Sequence, residues 1–293
     1  MAEHAIDQAE GLRRLLGRDV VRVITVASGR NGVGKTQVVI NLAAALAQHG
    51  KRVLILDEQA GRGTAVKSLG LTPRYDLLHV IRGEQRLDDV MMAGPDGVAV
   101  VAAGRGVQSL TELTTAEQMA LVEAFHGFSD AVDVVLIDAM AGTAGNALGL
   151  SLAASEVIVV VSGEASAITD AYALMKVLSR DFARHQFRLL MNKVRDGEAG
   201  RAIYANLADA SRRFLRIQPD YMGAVPVDER LRQAVRLDKP VVSAFPESVS
   251  AAAFRGLAET VDAWPYPRDD NARLGGFMQR LIHSSRLAAN CSR

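Results

Sequence analysis

The sequence has one cysteine, Cys291, so no disulfide can form within the chain, which suits a reducing compartment. Its six histidines (His4, His49, His79, His126, His185 and His283) are scattered, without the spacing of a metal site. Neither a cysteine–histidine pair nor a Gly-x-Ser-x-Gly turn offers an activated nucleophile. No apolar run approaches the ~20 residues that a membrane-spanning helix needs. The first residues are polar and mixed in charge, unlike a secretion signal. An excess of either charge is also missing: 34 Lys and Arg stand against 33 Asp and Glu, a formal net charge of +1. That balance gives no global argument for nucleic acid as a partner. Arg212, Arg213 and Arg216 read as a solvated basic helix face. The expectation is a cytoplasmic protein, soluble or peripheral to a membrane.

What remains is substantial. Hydrophobic residues make up 49% of 293, enough for one large α/β domain with appendages, or for two domains. Short β-rich runs recur at 21–27, 53–56, 98–102, 132–137, 157–161, 187–191 and 222–225. Most are continuous rather than alternating, as strands covered on both faces are. Helix-like segments lie between them, at 37–49, 115–125, 168–184 and 199–214. Strand alternating with helix predicts a doubly wound, mostly parallel sheet flanked by helices, with a ligand at the carboxyl ends of the strands. The expected division is 1–19, 20–265 and 266–293.

The most informative stretch joins the first of these strands to the first helix: Gly29-Arg30-Asn31-Gly32-Val33-Gly34-Lys35-Thr36, followed by Gln37. Its spacing is that of a phosphate-binding loop. Glycines let backbone N–H groups crowd around phosphate oxygens, and the helix N-terminus adds partial positive charge. Lys35 is placed to reach the β- and γ-phosphates, and the Thr36 hydroxyl to ligate Mg²⁺. Val134-Val135-Leu136-Ile137-Asp138 is an apolar strand ending in an acid, the Walker B form, whose carboxylate holds Mg²⁺ directly or through water. Another strand ends in Asp57, within reach of the same ion. Gly142 is placed to lend its N–H to a γ-phosphate. A nucleoside triphosphate and Mg²⁺ are therefore the expected ligands, with the base left to other residues.

This loop resembles the deviant Walker A motif of the MinD/ParA ATPases, Lys-Gly-Gly-Val-Gly-Lys-Thr. The resemblance runs through Asn41-Leu42-Ala43, Val53–Asp57, Ile137-Asp138, Ile168–Leu174 and Gly223–Glu229, and so covers about residues 20–265. Within that family Leu69–Pro73 and Ala244-Phe245-Pro246 are similar to the FlhG/FleN regulators of flagellar number. Asp7-Gln8-Ala9-Glu10-Gly11-Leu12-Arg13 resembles the FlhG element that activates a GTPase, FlhF, which assigns partner binding to Asp7, Gln8, Ala9, Leu12 and Arg13. By periodicity alone, a helix packed on its own domain accounts for the same residues.

Three departures from the family pattern matter. Arg30 replaces the signature lysine, which crosses a nucleotide-sandwiched homodimer to the partner's phosphates; arginine keeps the charge but is longer, planar and forked. Asn31 replaces a glycine, which suits a left-handed backbone where asparagine is the next best residue. After Asp57 the family reads Asp-x-Asp, and its second Asp positions the attacking water. Here the chain has Glu58-Gln59. Glutamine orients water but accepts no proton, and Glu58 on an extended segment points the other way. Binding with weak or absent hydrolysis is expected, the loss of one such group costing a factor of ~10²–10⁴; the alternative is that Gln59 serves. The expected catalytic set is Lys35, Asp57, Gln59, Asp138 and Arg30.

Asn192-Lys193 lacks the Asp that guanine reading requires, because position 195 is arginine. The resemblance implies that Asn192 reads adenine, which makes ATP the expected nucleotide, and that Pro226, Val227 and Asp228 wrap the base. In the tail, Leu274, Phe277, Met278, Leu281 and Ile282 fall at i, i+3, i+4, i+7 and i+8, beside Arg273, Arg280 and Arg286. Such a stripe suits either an anionic membrane surface or the protein's own domain. Docking in one nucleotide state and release in another would reconcile the two. The family further implies contacts with a flagellar transcription activator and switch-complex proteins. The alternatives are a hydrolysis-deficient scaffold, a DNA-partitioning ParA-type ATPase and a MinD-type division-site protein.

Overall fold

A computed structural model describes residues 20–59, 64–143, 146–265 and 274–291. Among the described residues eight strands form one sheet: β1 (Arg22–Ala27), β2 (Val53–Asp57), β3 (Met92–Ala93), β4 (Ala99–Ala102), β5 (Val134–Asp138), β6 (Glu156–Ser162), β7 (Arg188–Val194) and β8 (Asp220–Pro226). Their order is β3-β4-β2-β5-β1-β6-β7-β8. Only the two-residue edge strand β3 runs antiparallel, to β4; every other pairing is parallel.

The helices are α1 (Lys35–Gln48), α2 (Ala65–Ser68), α3 (Leu77–Ile81), α4 (Leu87–Val90), α5 (Gly104–Ser109), α6 (Thr115–His126), α7 (Asn146–Ala153) and α8 (Ala165–Phe182), then α9 (Gly197–Leu215), α10 (Glu229–Arg236), α11 (Val241–Ala244), α12 (Val249–Asp262) and α13 (Leu274–Cys291). The doubly wound expectation holds. Every residue of β1, β2 and β5 is buried, which is why their sequences are mostly apolar without alternation. Side chains alternate between faces: Ile24, Ile55 and Leu136 join the core under α1 and α12, whereas Val23, Leu56 and Ile137 join the opposite core.

That opposite core contains the tail. Leu274, Phe277 and Met278 are fully buried, Leu281 is 1% exposed and Ile282 5%. They share a cluster with Leu121 and Phe125 of α6 and Leu150 of α7. Side chains of this size contribute about 1.5–3 kcal/mol each when buried, against the entropy of ordering the helix. Arg280 Nε donates to the Ala153 carbonyl at 3.0 Å, and an Arg286 guanidinium nitrogen donates to Leu113 O at 3.2 Å. In this conformation the apolar stripe faces the domain, not an outside surface. No described helix is long and apolar enough to cross a membrane.

Candidate functional site

Strands β1, β2 and β5 lie side by side, so their carboxyl ends converge. Asp57 and Asp138 are register partners across β2 and β5. Beside them the loop 29–34 leaves β1 and turns into α1. Its left-handed residues are Gly32 and Gly34, at φ 86° and 88°. Asn31 is not among the residues of positive φ, so the left-handed backbone expected for it is absent; glycine on its C-terminal side takes the turn.

Lys35 Nζ lies 2.9 Å from Asp138 Oδ1 and also donates to the Ala139 carbonyl. Thr36 Oγ1 donates to Asp138 Oδ2 at 2.7 Å and accepts from Gln59 Nε2 at 3.0 Å. Asp57 Oδ1 accepts from the Gln59 amide at 3.0 Å, and Oδ2 from the Val66 amide at 2.9 Å, at the start of α2. Burial, reinforced by the Asp138 charge, pushes Asp57 up to about 6 against those N–H bonds. Lys35, Thr36, Asp57, Gln59 and Asp138 are thus brought together. Gln37 follows in the first turn of α1, its carbonyl accepting from Asn41 Nδ2 at 2.8 Å. Gly142 N donates to Ser28 O at 3.0 Å, which closes the loop after β5 onto the phosphate loop.

Arg30 reaches its own chain. Its guanidinium bonds the Ser166 hydroxyl, and Nε lies 3.8 Å from Asp170 Oδ2, at the start of α8. A Cβ at Gly29 would collide with the Asp170 carbonyl, which explains glycine there. Asn192 Nδ2 donates to Val33 O at 2.8 Å and Lys193 Nζ to Gly32 O at 2.6 Å, so the end of β7 braces the phosphate loop. Asn192 itself is buried. Pro226 ends β8, and Val227 is half-exposed, its amide donating to Val194 O at 2.8 Å. Asp228 caps α10 and accepts from Ser250 Oγ at 2.6 Å. Residues 7, 8, 9, 12 and 13 lie outside the described residues.

Sequence reasoning gave Glu58 no role beyond its direction. Its side chain does point away from the phosphate face, and it is 1% exposed. Oε2 accepts from the Met140 amide at 2.7 Å; Oε1 is buried without a hydrogen-bond partner among the described residues. Burial, with Asp138 and Asp57 adding repulsion, pushes Glu58 up to about 7, against the Met140 bond and the Lys35 charge. The signal available in sequence was parity along an extended segment. Ser166 and Asp170, which hold Arg30, carried no such signal.

A profile of the 4Fe-4S iron sulfur cluster binding proteins, NifH/frxC family, matches residues 22–269. Antiactivator FleN of Pseudomonas aeruginosa is 42% identical over 262 residues, which cover 89% of this chain and 94% of that protein. The chain belongs to the NifH/frxC family by that profile, and to the MinD/ParA ATPases of the FleN/FlhG type by its likeness to FleN. Flagellum site-determining protein YlxH of Helicobacter pylori is 26% identical over 81% of this chain and 80% of its own length. Septum site-determining protein MinD of Pyrococcus horikoshii, solved with Mg-ADP, shares the fold at a TM-score of 0.64 and 24% identity, over 83% of this chain and 96% of that one.

An iron–sulfur cluster does not fit this FleN-type chain. Clusters need several cysteine thiolates, and the sequence has a single cysteine. Mg²⁺ does fit. Thr36, Asp57 and Asp138 present hard oxygen donors, and no three acidic, histidine or cysteine side chains converge as a closed cage among the described residues. An octahedral Mg²⁺ site is completed by phosphate oxygens and water in such a case.

Proposed function

We propose that the chain is an ATP-dependent regulator of flagellar number and placement, acting as a membrane-associated switch. The observation that carries this reading is the convergence of Lys35, Thr36, Asp57 and Asp138 at the ends of β1, β2 and β5. It stands in a chain that is 42% identical to FleN along 89% of its length. Bound Mg²⁺ would neutralise phosphate charge between Thr36, Asp138 and Asp57. Lys35 would exchange Asp138 and the Ala139 carbonyl for phosphate oxygens, and Gly142 would turn its N–H from Ser28 to the γ-phosphate. Asn192, Pro226, Val227 and Asp228 would flank the adenine.

Two chains would then close face to face. Arg30 would leave Ser166 and Asp170 for the partner's phosphates. In the same state α13 would leave its seat and offer Leu274, Phe277, Met278, Leu281 and Ile282 to anionic lipid, with its arginines at the headgroups. The segment 1–19 would act on an FlhF-like GTPase through Asp7, Gln8, Ala9, Leu12 and Arg13. A flagellar transcription activator and switch-complex proteins are the further partners.

The test is light-scattering mass and ATP turnover with Mg·ATP, Mg·ADP or neither, with and without anionic vesicles. ATP-dependent doubling of mass with vesicle binding is expected. Unchanged mass would defeat the switch, and salt-sensitive binding to nonspecific duplex DNA would favour a partitioning ATPase instead. A second reading, a nucleotide-held scaffold that does not turn over, is supported by the Gln59 side-chain amide, which is spent on Thr36.

A further inference from the structure

We propose that Glu58 is a positioning residue that ties the loop after β5 to the seat of α13, and that it makes the docked helix releasable. The inference rests on the tail release put forward above and adds the side chain that transmits it.

Four observations place Glu58 between the two sites. Its Oε2 holds the Met140 amide at 2.7 Å. Met140 is 39% exposed, two residues after Asp138 and two before Gly142, in the loop after β5 that Gly142 ties to Ser28. Glu58 Oε1 is buried and unpartnered among the described residues. Finally, a small apolar cavity is lined by Glu58, Leu56, Leu77 and Leu150 from the body, and by Met278 and Leu281 from α13. The carboxyl group therefore has its satisfied oxygen on the loop after β5 and its carbon skeleton on a wall shared with the tail.

A buried polar atom without a partner destabilises the packing around it, because water is lost and nothing replaces it. Leu56, Leu77 and Leu150 belong to the folded body, whereas Met278 and Leu281 are the walls that can leave. Lifting α13 would let water reach Oε1. Glu58 thus opposes docking, while the apolar stripe favours it, and the balance is open to bias. The Met140 bond sets where the carboxyl sits, so a phosphate that draws on the 139–142 loop through the Gly142 N–H also moves Glu58 against Met278 and Leu281. Nucleotide occupancy and tail release become linked, and linkage is reciprocal.

The experiment is hydrogen exchange of the α13 amides in the full chain, at one pH, with and without saturating Mg·ATPγS. In the wild type, nucleotide should speed α13 exchange about 10-fold or more. Glu58→Leu removes the unpartnered oxygen and the Met140 tie while filling an apolar wall. It should slow nucleotide-free α13 exchange about 10-fold and abolish the nucleotide response. Glu58→Gln keeps an acceptor for Met140 and should retain the response within about 3-fold; a merely structural role would not separate these two variants. Met278→Ala loosens the seat from the tail side without touching Glu58. It should speed α13 exchange and, by linkage, tighten Mg·ATPγS binding by up to the factor with which nucleotide speeds exchange in the wild type.

Wild-type release with an equal response in Glu58→Leu would overturn the role of Glu58 and leave the proposed switch standing. No nucleotide effect on wild-type α13 would remove the release itself. In that case unchanged α13 protection in Glu58→Leu would overturn the Glu58 inference as well, and increased protection would support its opposition to docking. Should Glu58→Leu not fold, unchanged nucleotide affinity in a loosened Met278→Ala decides against the linkage.

Discussion

The Gln59 side-chain amide donates to the Thr36 hydroxyl at 3.0 Å, and the same hydroxyl donates to Asp138 Oδ2 at 2.7 Å. The residue at the place of the family's water-positioning aspartate is therefore hydrogen-bonded to a residue expected on Mg²⁺. Gln59→Asp supplies a proton acceptor and gives up the amide donor. Turnover of Mg·ATP should rise by about 10²-fold or more, in line with the usual weight of one general base. Steady-state phosphate release, measured beside nucleotide affinity, checks this. Equal rates in the two proteins would show that position 59 does not limit hydrolysis.

The carboxyl groups of Asp57 and Glu58 give a second prediction. Both are raised in the folded chain, from ordinary values of 3.8 and 4.5 to about 6 and about 7. The folded state then holds protons that the unfolded state has released. Stability is greatest below the unfolded values and is lost as pH rises through about 6 to 7. In metal- and nucleotide-free protein, Glu58→Gln removes its part of that slope, up to ~1.4 kcal/mol per pH unit. Denaturant unfolding of both proteins between pH 4.5 and 8 should give lines that converge at low pH, with the variant the more stable at pH 8. Parallel lines would mean that Glu58 does not titrate with folding.

Much of this arrangement could be read from sequence because it is local. The glycine spacing between a β-rich run and a helix places Lys35 and Thr36, and a strand-end acid places Asp138 and Asp57. The apolar period of Leu274–Ile282 predicted a one-sided helix. Period reports that a face is apolar and says nothing of what covers it, so α6 and α7 as its seat needed the fold. The same limit hid Ser166 and Asp170 beside Arg30, more than a hundred residues away in sequence. It also hid the Val241 amide on Asn41 Oδ1 at 2.6 Å. Strand β3 has two residues and no period to detect.

Arg30 and Asp170 are 40% and 42% exposed, and such pairs contribute only ~0–1 kcal/mol to stability. Their weight should fall on association instead. Asp170→Ala frees the guanidinium and should lower the concentration needed for the Mg·ATP-dependent dimer about 3- to 10-fold. Arg30→Ala should raise it at least 10-fold, with unfolding midpoints nearly unchanged in both. Sedimentation at graded concentrations distinguishes the two directions. If neither substitution moves the dimer, Arg30 does not cross the interface.

Helix α13 packs tightly against α7 at Gly149, where an added Cβ would lie 2.9 Å from Ser285 Oγ and 3.3 Å from Ser285 Cα. The Ser284 hydroxyl donates to the Gly149 carbonyl at 2.9 Å in the same contact. A leucine at 149 cannot share that space with the docked helix, while within α7 leucine forms helix better than glycine. The tail keeps every residue of its own apolar face. Gly149→Leu should therefore leave the ATPase fold intact and free the tail without nucleotide. Its sedimentation with anionic vesicles should rise about 10-fold or more over the wild type in the absence of ATP, and fall again at high salt. Deleting 271–293 from the variant should abolish that gain. Vesicle binding that stays at the wild-type level would mean that docking on α6 and α7 is not what withholds the tail from lipid.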